Sequence, residues 1–170
     1  MIRQATEQDL ESILHIYNDA ILRTTAVYAY EAQTMAQRKE WFAQKQKDGF
    51  PVLVFDVNEK VAGFATFGPF RAWPAYKYSA EHSIYVDGTY RKKGIGSQLL
   101  RAIIEAAEAH DVKTLVAGID AANVKSIALH KKFGFTHSGT IKNAGYKFES
   151  WLDLAFYQLD LQGPIEPTEQ

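Results

Sequence analysis

Residues 80–97, AEHSIYVDGTYRKKGIGS, restrict what this chain can become more than any other stretch. AEHSIYV alternates like a half-buried strand, with Glu81, Ser83 and Tyr85 on one face and His82, Ile84 and Val86 on the other. The apolar spacing that follows the stretch predicts a helix to about His110. Between strand and helix lie Arg91, Lys92 and Lys93, with glycines at 94 and 96. Bare backbone before a helix, with its first N–H groups free and the positive end of its dipole outward, makes an anion site. A short glycine motif also suits a plain turn kept soluble by its lysines, so the rest of the chain has to decide.

Two familiar phosphate motifs are excluded. There is no G-x-x-x-x-G-K-[ST], and GIGSQL lacks the third glycine of a dinucleotide fingerprint and follows a late strand rather than the first. Charge narrows the partners further. Lys and Arg number 19 against 20 Asp and Glu, a net charge of -1, which gives no general attraction to nucleic acid or acidic membranes. The absence of cysteine removes disulfides, thiolate metal sites and a cysteine nucleophile together. His15, His110 and His137 are scattered without metal-ligand spacing, so no metal is expected. The start, MIRQATEQDL, is polar and acidic where a signal peptide is basic and then apolar, and no apolar run is long enough to span a membrane. A soluble cytoplasmic protein is expected.

Along the 170 residues the elements alternate without repeat or linker, which predicts one domain over 1–162 and a flexible tail over 163–170. IRQA is a strand. Thr6 and Asp9 form a capping box before a helix carrying Leu10, Ile13, Leu14, Tyr17 and Ile21. Thr34 starts a second helix that Gly49 closes. PVLVFDV and KVAGFATFGPF are strands around an Asn58-Glu59 turn. After the helix to His110 come a strand KTLVAGI, a helix over NVKSIALHKKF, and two long strands, FTHSGTIK and YKFESWLDLAFYQLDL, joined through Asn143-Ala144-Gly145. The order βααβββαβαββ is a mixed α/β sheet.

At this point the residues carry a resemblance. Arg91-x-x-Gly94-x-Gly96 after HSIYV resembles the acetyl-CoA pyrophosphate loop of the GCN5-related N-acetyltransferases (GNAT), and Asn123 opening NVKSIALHKKFGF resembles that family's second signature. The element order is the family's too, so the resemblance implies a mostly antiparallel central sheet with helices on both faces. It also implies acetyl-CoA as co-substrate, held by Arg91, Lys92, Lys93, Gly94, Ile95, Gly96 and Ser97, with Asn123 and Ser126 on its pantetheine or phosphate part. YNDAI with TTA, FRAWPAYKYSAEHSIYV, AGIDAANVKSIALH and GYKFESWLDLAFYQLDL are similar to the phosphinothricin and methionine sulfone or sulfoximine acetyltransferases within that superfamily. Those enzymes acetylate the α-amino group of small amino acids and are commonly homodimers, which sets the expectation here.

The chemistry constrains the roles. A protonated amine cannot attack a thioester, so a proton acceptor is needed. Glu81 is a carboxylate within a largely apolar strand, costly unless paired or useful, and partial burial would raise its pKa toward that of a working base. It is either the general base, as the resemblance implies, or half of a structural ion pair. A backbone N–H near Tyr85 or Val86 would stabilise the developing oxyanion, again by resemblance. His130 stands where most of the superfamily carries a tyrosine that protonates the leaving thiolate, and is either that acid or a packing residue. FRAWPAYKY offers Arg71 for an anionic or oxidised head, with Trp73 and Tyr76 as walls, or else forms a surface loop with aromatic packing. By resemblance Asn18, Tyr28 and Glu31 would complete the pocket. A protein-directed acetyltransferase and a CoA-binding module without turnover are the competing functions.

Overall fold

The computed structural model describes residues 1–170. In chain order the elements are β1 (Ile2–Gln4), α1 (Leu10–Arg23), α2 (Met35–Asp48), β2 (Val52–Val57), β3 (Lys60–Pro69), β4 (Ser79–Val86), α3 (Ile95–Ala109), β5 (Thr114–Asp120), α4 (Val124–Lys132), β6 (Thr136–Lys147) and β7 (Ser150–Asp160). This is the expected βααβββαβαββ order. The strands form a seven-stranded sheet ordered β1-β2-β3-β4-β5-β7-β6, in which β4 and β5 run parallel while β1-β2, β2-β3, β5-β7 and β6-β7 pair antiparallel. No helix is long and apolar enough to cross a membrane.

The chain divides into two compact units. Residues 1–67 with 83–103 form the first, and 68–82 with 104–170 the second. In the first unit, Leu10, Ile13 and Ile16 of α1 and Phe42 of α2 pack with Val52, Val54, Val61 and Phe64 of β2 and β3. The helix ends follow from their caps. Thr34 accepts the Gln37 N–H at 3.2 Å while the Gln37 side chain accepts the Thr34 N–H at 2.8 Å, and Gly49 ends α2 at φ 75°. Arg38 is buried against this core, its guanidinium 4.1 Å from the Tyr17 ring centre and 4.4 Å from that of Trp41, and it donates to the Gln33 side chain. Asn18 holds Gln33 from the other side, donating to its carbonyl at 3.0 Å and accepting its N–H at 2.8 Å. Asn18 therefore fixes the end of the α1–α2 connection.

In the second unit β4 pairs with β5 in a register that runs from Ser79↔Thr114 to Glu81↔Val116, and β7 pairs with β5 and β6. Leu115, Ala117 and Ile119 alternate inward, joined by Phe135 and Tyr157 in the buried set. Tyr78 and Thr168 exchange a hydrogen bond, with the Thr168 N–H donating to the phenol oxygen at 3.0 Å, and the Lys77 ammonium donates to the Gln170 carbonyl at 3.0 Å.

One expectation is overturned. The last two strands do not join through Asn143-Ala144-Gly145. β6 continues through them to Lys147, and the hairpin turns at Phe148-Glu149, with φ of 52° and 60°. The register passes from Ile141↔Leu154 to Gly145↔Leu152, so residues 142–144 bulge opposite Asp153 alone, whose carboxylate accepts the Asn143 N–H at 2.9 Å. Asn143 does take the left-handed φ of 54° that makes an asparagine resemble a turn residue, but a bulge uses the same conformation.

Candidate functional site

In the first unit β4 ends at Val86 and the chain turns at Asp87, whose carboxylate accepts the Thr89 N–H at 2.8 Å and hydroxyl at 2.6 Å. Lys92 at φ 65° and Gly94 at φ 76° then bring the backbone to the start of α3. A helix leaves the N–H groups of its first turn without intrahelical acceptors, which here are those of Ile95, Gly96 and Ser97. Open space lies where a Cβ on Gly94 would point, and Arg91, Lys92 and Lys93 are exposed beside it. An open, cationic helix terminus of this kind fits a diphosphate. Upstream, Tyr85 meets the Tyr17 ring edge-on at 5.4 Å and the Phe64 ring at 5.1 Å. Its carbonyl oxygen lies 2.8 Å from where a Cβ on Gly63 would stand.

In the second unit Glu81 leaves much of its surface open, yet the protein around its carboxyl displaces enough water that burial raises its pKa. The strand alternation that places Ser79 and Glu81 on one face also places Thr114 and Val116 beside them. A cavity of about 410 Å³ is lined there by Ser79, Thr114 and Val116, by Phe70 and Tyr76 from the β3–β4 connection, and by Phe156, Gln158 and the β6 residues Ser138 to Ile141. Its lining residues are all uncharged. The three aromatic rings brace one another, Phe70 lying 5.9 Å from Tyr76 and 6.2 Å from Phe156. The Arg71 guanidinium stands 6.0 Å from the Tyr76 ring centre, and Trp73 is 70% exposed.

Also in the second unit, Asn123 caps α4 by accepting the Ser126 N–H at 3.2 Å. His130, one turn further on, is buried, with Nδ1 2.7 Å from the Ser126 carbonyl oxygen. Its Nε2 lies 3.0 Å from Nε2 of the buried His82, and the two rings stack at 28° with Phe135 against both. Desolvation, with the neighbouring His130, pushes the His82 pKa down to about 3, and desolvation lowers that of His130 as well. Nothing in the sequence assigns His82 a part. The only signal for it is the two-residue period, which turns His82 to the buried face of the strand that carries Glu81. No group of three or more His, Asp or Glu side chains is placed to hold a metal ion.

The profile described as acetyltransferase (GNAT) domain matches residues 2–156. The L-methionine sulfoximine/L-methionine sulfone acetyltransferase of Pseudomonas aeruginosa is 43% identical over 161 residues, 94% of each chain. Among solved structures, an N-acetyltransferase from Staphylococcus aureus is 60% identical with a TM-score of 0.93, covering 94% of this chain and 97% of that one. A GNAT superfamily phosphinothricin acetyltransferase from Sinorhizobium meliloti, solved with acetyl-CoA, is 35% identical with a TM-score of 0.94, covering 99% of this chain and 93% of that one. With its motifs, element order and these likenesses in agreement, the chain belongs to the GNAT acetyltransferase family.

Proposed function

We propose that this chain transfers the acetyl group of acetyl-CoA directly to the α-amino group of a small amino acid of the methionine sulfone, methionine sulfoximine or phosphinothricin type, within a ternary complex. Strand β4 carries this reading: it bears Glu81, a carboxyl whose pKa is raised by burial, and leads into the cationic helix terminus at Gly94. Arg91, Lys92 and Lys93, with the amides of Gly94 to Ser97, hold the diphosphate, while Asn123 and Ser126 hold another part of the co-substrate. Glu81 takes a proton from the acceptor's ammonium. The freed nitrogen lone pair attacks the thioester carbon, a backbone N–H at Tyr85 or Val86 donates to the carbonyl oxygen as charge develops, and the carbon–sulfur bond breaks to release CoA as thiolate while the nitrogen gives up its second proton to solvent, leaving the amide. His130 has both ring nitrogens engaged by protein groups, which favours a supporting role over delivery of a proton to that thiolate.

The uncharged cavity beside Glu81 receives the acceptor's side chain, with Tyr76 as wall, Trp73 at the rim and Arg71 for the acceptor's carboxylate. Hydroxyls of Ser79 and Thr114 and the N–H groups of the Gln158 amide, whose oxygen accepts the Ser138 hydroxyl at 2.7 Å, suit the oxygens of a neutral sulfone or sulfoximine better than an anionic phosphinate. The deciding experiment follows thiol release with L-methionine sulfone, L-methionine sulfoximine, phosphinothricin, ordinary amino acids and a peptide offered separately. Turnover fastest with the two neutral oxidised-sulfur substrates is expected. Turnover with the peptide alone would discard the reading. We propose further that the enzyme works in the cytoplasm as a homodimer, bound to neither nucleic acid nor membrane. The net charge of -1 and the exposed Ile141, Phe148 and Trp151 of the β6–β7 hairpin support this, and a solution mass equal to one 19.2 kDa chain would reject the dimer.

Gly94→Val tests the anion loop. A β-branched residue at φ 76° forces the loop out of its path, strain worth about 1–3 kcal/mol, so KM for acetyl-CoA rises by about tenfold or more. Circular dichroism should show the same secondary structure as the parent. An unchanged KM would remove the loop from the site.

A further inference from the structure

His82 and His130 meet at their Nε2 atoms and His130 also meets the Ser126 carbonyl, with the Ser126 hydroxyl more distant at 3.5 Å, and elementary valence assigns the protons in the two short approaches. The Ser126 carbonyl oxygen can only accept, so at 2.7 Å the His130 Nδ1 carries a hydrogen. A neutral imidazole has one N–H, which leaves the His130 Nε2 with a lone pair. That lone pair faces the His82 Nε2 at 3.0 Å, so the hydrogen between the rings belongs to His82. The His82 Nδ1 is then bare: it lies buried without a hydrogen-bond partner, and the Val116 backbone, which works weakly against the fall of the His82 pKa, does not meet it in hydrogen-bond geometry. Placing a second proton on either ring would put a cation among Phe135 and its histidine neighbour in a dry interior, and burial keeps both rings neutral.

The result is a directed chain of hydrogen bonds. It runs from the His82 ring on β4 to the His130 ring, from there to the Ser126 carbonyl, and through the Ser126 N–H to the Asn123 side chain that caps α4. Its two ends are the residue next to Glu81 and the helix turn that carries Asn123 and Ser126.

We propose that His82 is a positioning residue: by donating from Nε2 it fixes His130 as the Nδ1–H tautomer and holds the first turn of α4 in place for the co-substrate. The proposal rests on the reading that this turn meets acetyl-CoA. It also gives His130 a supporting role, because its one proton is committed to Ser126 and its lone pair to His82.

The test has a spectroscopic arm and a kinetic arm. In the protein without co-substrate, ¹⁵N spectra of the histidines should show His130 protonated at Nδ1 and His82 at Nε2, with a coupling across the hydrogen bond between the two Nε2 atoms. His130 protonated at Nε2, or either ring doubly protonated at neutral pH, would overturn the assignment whatever the enzyme acts on. His82→Phe keeps a ring against His130 and Phe135 but removes the donor, and a buried acceptor left unpaired is expected to raise KM for acetyl-CoA about tenfold with a smaller change in kcat. His82→Gln can donate from a similar distance and should return KM to within about twofold of the parent. If His82→Phe binds acetyl-CoA as the parent does, or if the folded glutamine variant is no better than the phenylalanine one, His82 does not act through its N–H.

Discussion

Glu81→Gln is expected to lower kcat/KM by about a hundredfold to ten-thousandfold, the range that a positioned general base contributes. Glutamine keeps the shape of the side chain and cannot accept the proton. The pH dependence carries more information than the loss at one pH. Burial raises the Glu81 pKa, so the basic carboxylate accumulates only above that raised value, and the parent enzyme gains activity as pH climbs through it. The variant lacks that limb. Its deficit is widest above the Glu81 pKa and below that of the acceptor's ammonium, and narrows as free amine becomes available without help. Stability runs the other way. A carboxyl whose folded pKa is raised favours the fold when protonated and loses that contribution as pH rises through the folded value, so above that value the parent carries an ionised group the fold disfavours. The uncharged variant therefore melts slightly higher above the raised Glu81 pKa while turning over far more slowly. An equal loss of activity at every pH would leave Glu81 with a structural role only.

Gly63→Ala is the second large effect, although it adds a single methyl. The new Cβ would stand 2.8 Å from the Tyr85 carbonyl oxygen, 3.1 Å from Leu99 Cδ1 and 3.4 Å from the Val86 Cα. The leucine side chain can give way, but the other two atoms are backbone of β4. Overpacking of this kind costs about 1–3 kcal/mol in stability. It also pushes on the two residues whose amides are proposed to meet the oxyanion, and a misplaced donor there lowers kcat about a hundredfold to a thousandfold. The expected signature is a folded variant with a lowered melting temperature and a kcat that falls out of proportion to it. Parent-like kcat would show that the end of β4 tolerates displacement and would weaken the assignment of the oxyanion donor.

The sequence reveals what local chemistry specifies. Thr34 and Gly49 declare the ends of α2 because cap residues act within one turn, and the Asn58-Glu59 turn is legible because polar residues there interrupt two apolar, largely buried runs. The Arg91 to Ser97 loop and Asn123 stand out for the same reason, since a helix terminus suited to an anion is built from consecutive residues. Contacts between distant positions leave no such mark. His82 and His130 are 48 residues apart, and neither surroundings predict that their rings meet. Part of the cavity lining comes from β6 and β7, whose sequences look like plain strands. Gly63 looks like any glycine in a strand until the Tyr85 carbonyl is seen above it. Asn143-Ala144-Gly145 misleads because its composition describes a local backbone conformation, which a hairpin turn and a bulge share.

The two hairpin turns have a consequence for how this protein can change. Asn58 and Glu59 stand at φ of 51° and 65°, and Phe148 and Glu149 at 52° and 60°, all in the left-handed region. Only asparagine among these types adopts it readily, and other L-residues lose about 1–2 kcal/mol there. Glu59 and Glu149 therefore hold the fold below the stability its own topology permits, at positions with no assigned part in binding or chemistry, while Phe148 does so on the face proposed for the dimer. Glycine or asparagine at these corners would restore about as much stability as a typical destabilising substitution removes. A lineage acquiring a new acceptor could thus reshape the cavity wall at Phe70, Tyr76 or Phe156, lose stability in doing so, and remain folded through changes confined to two turns.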